Sequence, residues 1–324
     1  MKKTILLTIL IIFSFNNLTA QQTITDTEKL VSLGKMYGFL KYYHPEVGQG
    51  KYDWDNQLIE YIPKVLNATD KKSLSTIYIN WIDQLGKIEK CRKCDSDENY
   101  FDKNFNLSWT KNSSIFDNSL ISRLDYIEQN RIQGENFYVD IAPVGNIKVT
   151  NEPIYNDFDY PSEEYRLLGL FKYWNISEYF YPYKYLTDQK WDSVLEEMIP
   201  KFRLASNEKE YKNLIQQLIT KLDDSHVAIL IDDKPQKYLP AQITNIENKP
   251  VITGFYNDSI AATQNLKLGD IILKINEIDI SSLIEKNLKL VPGSNSNIKT
   301  RHVYYKILGG EEENVKLTIE REGQ

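Results

Sequence analysis

Cysteine is almost absent from this chain: Cys91 and Cys94 are the only two among 324 residues, beside three histidines. A multiply bridged secreted scaffold is thereby excluded. A structural zinc site would need two further thiolates or imidazoles at ligand spacing, and the sequence offers none. Glycine (14) and proline (11) are scarce, so the composition is that of a folded protein rather than a linker or low-complexity tail. No apolar run of spanning length follows the first twenty residues, which leaves no candidate membrane helix in the mature chain. Blocks of one charge sign are lacking too: 39 Lys+Arg and 45 Asp+Glu are interspersed, for a net charge of −6. Nucleic acid is therefore not an expected partner.

What is present begins with an address. Met1-Lys2-Lys3 is basic, residues 5–15 are almost wholly apolar, and Leu18-Thr19-Ala20 ends in a small residue before Gln21. That order predicts a secretory signal peptide over residues 1–20 and an exported protein in the periplasm, cell envelope or extracellular space. An oxidising destination favours a small disulfide loop between Cys91 and Cys94; a reduced solvent-facing pair, or a redox or metal role, are the other readings. Tyrosine is abundant at 22 residues, and buried rings with wet hydroxyls are its expected use.

The chain matches itself at an offset of 137 residues. Tyr42, Pro45, Trp54, Asp55, Leu58 and Glu60 pair with Tyr179, Pro182, Trp191, Asp192, Leu195 and Glu197; Ile62-Pro63-Lys64 pairs with Ile199-Pro200-Lys201, Ala68 with Ala205 and Leu85 with Leu222. Shared proline and tryptophan positions without a gap imply two copies of one helical unit. Each copy predicts an aromatic helix (29–43; 164–181), a break at Pro45 or Pro182 and a second helix from Trp54 or Trp191. A third helix follows (71–85; 208–222), with Asp70 and Asn207 as N-caps. In the last of these Tyr211, Leu214, Ile215, Leu218, Ile219 and Leu222 recur at three and four, which makes one apolar face. Between the copies, short strands are expected at 106–109, 136–141 and 146–149, with a helix near 118–129 and Ser162 as the next cap.

The copies diverge where the first has Gly86-Lys87. The second has Asp223-Asp224-Ser225-His226, followed by the apolar Val227-Ala228-Ile229-Leu230-Ile231, an expected strand. A helix-to-strand junction projects side chains into clefts, and imidazole trades protons near neutrality. His226 is thus a candidate general base, and a structural residue bonded to the helix end is the competing role. His44 and His302 stand alone and read as surface or packing residues.

Beyond Tyr238 the periodicity is that of strands, over 241–246 and 250–255, with a short helix from Asp258. Leu268-Gly269-Asp270 then turns the chain into a strand in which Ile271, Leu273 and Ile275 alternate with Ile272, Lys274 and Asn276. Gly269 supplies the tight turn and the Asp270 carboxylate suits nearby backbone donors. Asn276-Glu277 reads as a hairpin turn, Ser281 as the cap of a helix carrying Leu283, Ile284 and Leu288, and 314–320 as a last strand. The fold class is α+β: duplicated small helical bundles with a β-containing insert, followed by a partly open β-barrel with two helices. The expected divisions are 1–20 (signal), 21–94 (first bundle), 95–161 (insert), 162–235 (second bundle, ending in the Asp-Ser-His turn) and 236–324 (barrel).

The Gly269-Asp270-Ile271-Ile272-Leu273-Lys274-Ile275-Asn276 segment resembles the signature of a PDZ domain. A PDZ-like domain behind a helical bundle ending in Asp224-Ser225-His226 is similar to the tail-specific, or C-terminal-processing, serine peptidases, including their tricorn-like branch. The likeness covers residues 163–324. In the tricorn-like branch it implies that His226 activates a serine nucleophile, with Ser225 beside it in the polar relay; in the dyad branch a lysine does this and the histidine is structural. Both branches place the nucleophile in a later α/β domain. No Gly-x-Ser-x-Gly elbow occurs in these residues, and Pro292-Gly293-Ser294-Asn295-Ser296 reads as a loop. The resemblance therefore implies an exported serine-type peptidase acting on peptides or polypeptides. It implies no turnover from these residues without a C-terminal catalytic domain, no cofactor and no metal. It also implies that a peptide C-terminus adds as a strand along Ala241 and Ile243, its carboxylate held by amides near Leu239, although Pro240 has no amide to give. A gating or scaffolding module is the alternative there. For the whole chain the rival is a non-catalytic periplasmic peptide-binding adaptor, and a carbohydrate-binding surface on the aromatic helices is a third reading.

Overall fold

Caps and prolines set the helix boundaries in the first two thirds of the chain. The computed structural model describes residues 24–92, 94, 100–155, 159–227 and 237–324. The expected signal peptide, and residues 228–231 of the expected strand after His226, lie outside the described residues. Helix α1 (Asp26–Tyr43) starts on a capping box: the Thr25 hydroxyl accepts from the Glu28 N–H, and the Glu28 carboxylate accepts from the Thr25 N–H. It ends at His44-Pro45, because proline cannot continue a helix but is at home in the first turn of the next, the short α2 (Pro45–Gly48). Helix α3 (Trp54–Leu66) is capped by Asp53 and α4 (Lys71–Gln84) by Asp70, which accepts from the Ser73 N–H at 2.7 Å.

The insert contributes α5 (Asn118–Gln129) and an antiparallel hairpin of β1 (Val139–Ile141) and β2 (Ile147–Val149). Residues 108–111, expected to begin in a strand, form a 3-10 turn. The Asn106 side chain accepts from the Ser108 N–H and hydroxyl, and the Thr110 hydroxyl donates to the Leu107 carbonyl; these local bonds compete with sheet pairing. Then come α6 (Glu163–Phe180), α7 (Trp191–Leu204) and α8 (Glu208–Thr220). Asn207 caps α8 as expected, accepting from the Glu210 N–H at 2.9 Å. Ser162 precedes α6 but does not cap it, since its hydroxyl donates to Glu164 instead.

The starts of α1, α3 and α4 recur in α6, α7 and α8 at an offset of 137. The two longest of these lie side by side: Gly34 meets the Phe171 ring, Gly38 meets Asn175, and the Tyr42 and Tyr179 rings are 4.8 Å apart. Each pair is again 137 residues apart, and contacts in one register at steps of four mean that α1 and α6 run parallel. Asn175 donates to Phe171 O on its own helix and to Gly34 O on the other, both at 2.8 Å. The same offset relates two indole bonds, Trp54 Nε1–H to Tyr37 O and Trp191 Nε1–H to Trp174 O, each 3.1 Å. It also relates two ion pairs that cross between the halves, Lys172 with Asp55 at 2.7 Å and Lys35 with Asp192 at 2.8 Å. A continuous core that includes Leu33, Phe39, Trp81, Phe171, Trp174 and Phe202 unites both sets of helices.

His44, at the corner between α1 and α2, is fully buried, and neither ring nitrogen has a hydrogen-bond partner among the described residues. Of its two expected settings, the surface one falls. Burial pushes its imidazole down to about 4. The unfolded chain gains this proton near pH 6.5 and the folded one only near pH 4, so the stability is complete above pH 6.5 and is lost on acidification. Between pH 7.5 and 4.5 the loss from this residue is roughly 2.5 kcal/mol. Urea titrations at the two pH values are expected to show that His44→Leu loses less stability than the parent by that amount; equal losses would contradict the assignment.

The remaining elements are β3 (Lys237–Tyr238), β4 (Ala241–Ile246), β5 (Lys249–Phe255), α9 (Asp258–Thr263), β6 (Ile271–Ile275), β7 (Ile278–Asp279), α10 (Ile280–Leu288), α11 (Ser296–Ile307), β8 (Gly309–Gly310) and β9 (Leu317–Glu320). The order β4-β5-β6-β7 is antiparallel, β9 also pairs with β6, and β3 and β8 form a separate ribbon. Asn276 and Glu277, both at positive φ, make the primed turn that suits the β6–β7 hairpin. Asp270 is buried, accepts from the Lys267 N–H and is gripped by Arg321 at 2.7 and 2.8 Å. The Arg321 bonds, chiefly, hold its carboxyl below the usual range. Ser281 lies inside α10 rather than capping it. Residues 296–307, where the sequence predicts no helix, form α11 on an Asn295 cap that accepts from the Ile298 N–H.

Candidate functional site

The turn after α8 is built from carboxylates. α8 ends at Thr220 with Lys221 as its C-cap, and Asp223, in a left-handed conformation (φ +50°), turns the chain beyond it. Its side chain accepts from the Asp188 N–H at 2.8 Å and pairs with Lys299 of α11 at 2.5 Å. Asp224 Oδ1 accepts from the His226 N–H at 2.8 Å and also faces His226 Nδ1 at 3.1 Å. Its other oxygen accepts from the Tyr181 hydroxyl at 3.4 Å. The His226 amide first, then its ring, hold the Asp224 carboxyl below the usual range. The Ser225 hydroxyl meets the Ser294 hydroxyl at 2.9 Å and accepts from the Ser294 N–H at 3.0 Å. The turn is thus fastened to the segment that opens α11.

The His226 side chain is 97% exposed. It stands at the rim of a cleft of about 530 Å³ lined by Tyr181, Leu186, Asp188, Ser294 and Lys299 among others. With Nδ1–H directed at Asp224, Nε2 is free to accept a proton, which is the arrangement a general base needs. Ser225 and His226 share the turn but not a bond: the serine is tied to Ser294 and the ring to Asp224. Asp224 is the member that the sequence reading passes over. Its signal is a carboxylate two residues before the imidazole, the spacing of an Asx turn.

A groove of about 690 Å³ lies between β4 and α11, and Leu239, Ala241 and Ile243 all line it. β4 pairs with β5 on one side only, among the described residues. The Tyr256 N–H donates to Pro240 O at 2.9 Å, so Ala241, opposite Phe255, turns its own N–H and C=O away from β5. The amide cradle expected near Leu239 is not there: the Leu239 N–H donates to Leu308 O at 3.3 Å, and Pro240 has none.

Cys91 and Cys94 are joined in a disulfide, Cα atoms 5.6 Å apart, with the Cys91 N–H bonded to the Asn130 side chain. Neither sulfur is then a thiolate ligand. Among the described residues no cluster of His, Cys, Asp or Glu is placed to hold a metal ion, and no helix is long and apolar enough to cross a membrane. Compared with known families and characterised proteins, the chain matches no family model and no curated protein.

Proposed function

We propose that this chain is the peptide-handling portion of an exported serine-type peptidase, with His226 as general base and the β4–α11 groove as the substrate-binding element. The observation that carries the reading is the His226 ring, held through Nδ1 by Asp224 with Nε2 free at the rim of a cleft. Support also comes from the order of a helical unit, an Asp-Ser-His turn and a strand-edge groove. The finer architecture belongs to the same proposal. The two helical regions are copies of one unit about a pseudo-two-fold axis, a view supported by the recurrent 137-residue offset. Residues 237–324 are a PDZ-like barrel, a view supported by an edge strand lying beside a helix.

In this reading His226 takes the proton of a serine as its oxygen attacks the substrate carbonyl. It then delivers that proton to the leaving amine and repeats the cycle with water on the acyl-enzyme. The serine and the oxyanion donors are expected from an α/β lobe outside these residues. In the full-length protein, His226→Ala is expected to lower kcat/KM on a fluorogenic peptide by about a hundredfold or more. Asp224→Asn should lower kcat with little effect on KM. Unchanged activity in His226→Ala would move the chemistry to a lysine dyad. The near-complete exposure of the imidazole favours one second reading, a non-catalytic peptide-binding adaptor; peptide binding without hydrolysis by the full-length protein would select it.

A further inference from the structure

We propose that the cleft between the C-terminal ends of α1 and α6 and the β1–β2 hairpin binds a neutral oligosaccharide, with Tyr42, Tyr179, Phe180 and Glu135 as its contacts. The cleft shares no lining residue with the His226 cleft or the β4–α11 groove, so the proposal stands or falls apart from the peptidase reading. Its volume of about 750 Å³ lies within the range of small-ligand sites. The floor follows from the repeat. Because α1 and α6 run parallel at an offset of 137, their last turns lie together, and Tyr42-Tyr43 meets its counterpart Tyr179-Phe180. The Tyr42 ring is 4.8 Å from that of Tyr179 and 4.9 Å from that of Phe180, the latter edge-on. One wall is fastened to this platform: the Ile132 N–H donates to Tyr43 O at 2.9 Å and the Phe137 N–H to Gly48 O at 2.7 Å. These bonds hold the segment carrying Arg131 and Glu135 beside the rings. Opposite stand Ile141 and Ile147, cross-strand partners in the hairpin, 67% and 39% exposed.

Three features select the ligand. The Tyr42 and Tyr179 rings pack against the core, yet among the described residues neither hydroxyl has a hydrogen-bond partner, and neither oxygen is sealed from solvent. A purely apolar ligand would strip water from both and give nothing back. Glu135 likewise has neither an ion pair nor a hydrogen bond among the described residues, and it shares the cleft with Arg131 and Asp140. A ligand of either charge therefore meets a like charge there. A hydroxyl both donates and accepts, so a row of them suits phenol, carboxylate and guanidinium together. The rings supply the third feature. The weakly positive C–H face of a pyranose lies against the negative face of an aromatic ring, which covers the platform while the sugar's edge meets the polar groups.

The test is isothermal titration calorimetry on the full chain. The neutral probes are cellotetraose, maltotetraose, mannotetraose and chitotetraose; tetragalacturonate and an acetylated apolar hexapeptide amide are the comparisons. At least one neutral tetrasaccharide is expected to bind. Replacing both phenols (Tyr42→Phe with Tyr179→Phe) should weaken it about tenfold, as should Glu135→Ala. The melting temperature should stay unchanged in both variants, because these oxygens hold nothing in the free protein. Absence of binding by all four neutral sugars at millimolar concentration would overturn the proposal. Binding that survives both variants at parental strength would put the sugar elsewhere and overturn the site. Binding of tetragalacturonate alone would overturn it in favour of an anion held by Arg131. Binding of the hexapeptide alone, lost in the same variants, would overturn it in favour of a second peptide subsite.

Discussion

Glu152→Ala is expected to destabilise the protein by about 4 kcal/mol, although Glu152 lies in a polar loop far from the helical caps. Its carboxylate is the joint of a buried network. It pairs with Lys41, whose side chain is 2% exposed, and with Lys172 at 2.6 Å. Lys172 also pairs with the buried Asp55, which accepts from the Tyr37 and Tyr155 hydroxyls at 2.8 and 2.9 Å. Two ammonium groups face two carboxylates, with Lys41 and Asp55 buried and Lys172 and Glu152 only 14% and 16% exposed, and removing the Glu152 carboxylate takes away the direct counter-ion of Lys41. Burial already depresses the Lys41 pKa, and the Glu152 charge is the main force opposing it. In the variant that pKa falls further below its unfolded value near 10.4, so the unfolded chain binds the extra proton over a wider range. Stability should then rise with pH from neutrality toward pH 10 more steeply in the variant than in the parent. Urea titrations at pH 7 and 9.5 check both points. A loss under about 1 kcal/mol at pH 7 would mean that the ion pairs are solvated and the network contributes little.

Nothing near Glu152 in sequence announces that role. Asn151-Glu152-Pro153 reads as a turn, and its partners are distant in sequence, Lys41 on α1 being 111 residues earlier and Lys172 lying on α6. Legibility followed locality. Asp70 and Asn207 cap helices because their side chains bond amides three residues on, Pro45 breaks a helix by its own chemistry, and 118–129 is helical where its apolar spacing puts it. The 3-10 turn at 108–111 escaped because asparagine and threonine side chains outcompete a weak strand pattern. α11 escaped because Ile298, Val303, Tyr304 and Ile307 are scattered among polar residues, and only Val303 and Tyr304 are buried. That omission hid Lys299 and the β4–α11 groove, since the groove exists only when this helix lies beside a strand some sixty residues earlier. The histidine turn was readable as a place, but the aim of its ring depends on an Asx turn that periodicity does not register.

Gly38→Asn alone is expected to cost about 4 kcal/mol or more, and combining it with Asn175→Gly is expected to restore most of the loss. A Cβ at position 38 would stand 1.7 Å from Asn175 Oδ1 and 2.2 Å from its Cγ. The helices cannot part to make room, because Gly34 against Phe171 and Tyr42 against Tyr179 hold the same seam one turn to either side. Asn175→Gly alone removes two buried hydrogen bonds and places a flexible residue inside α6, a loss of about 2 kcal/mol. In the exchanged protein, the asparagine introduced at position 38 would have Gly34 O four residues back on its own helix and Phe171 O across the seam. These are the two carbonyls that Asn175 uses now, with near and far interchanged. The glycine introduced at position 175 would supply the clearance that Gly38 supplies in the parent. A double-mutant cycle read by urea unfolding should therefore give a favourable coupling of about 3 kcal/mol or more, far above what independent sites show. Additive losses would mean that the matching offset is not matched by equivalent geometry. The two-copy origin of the helical half would then rest on sequence alone.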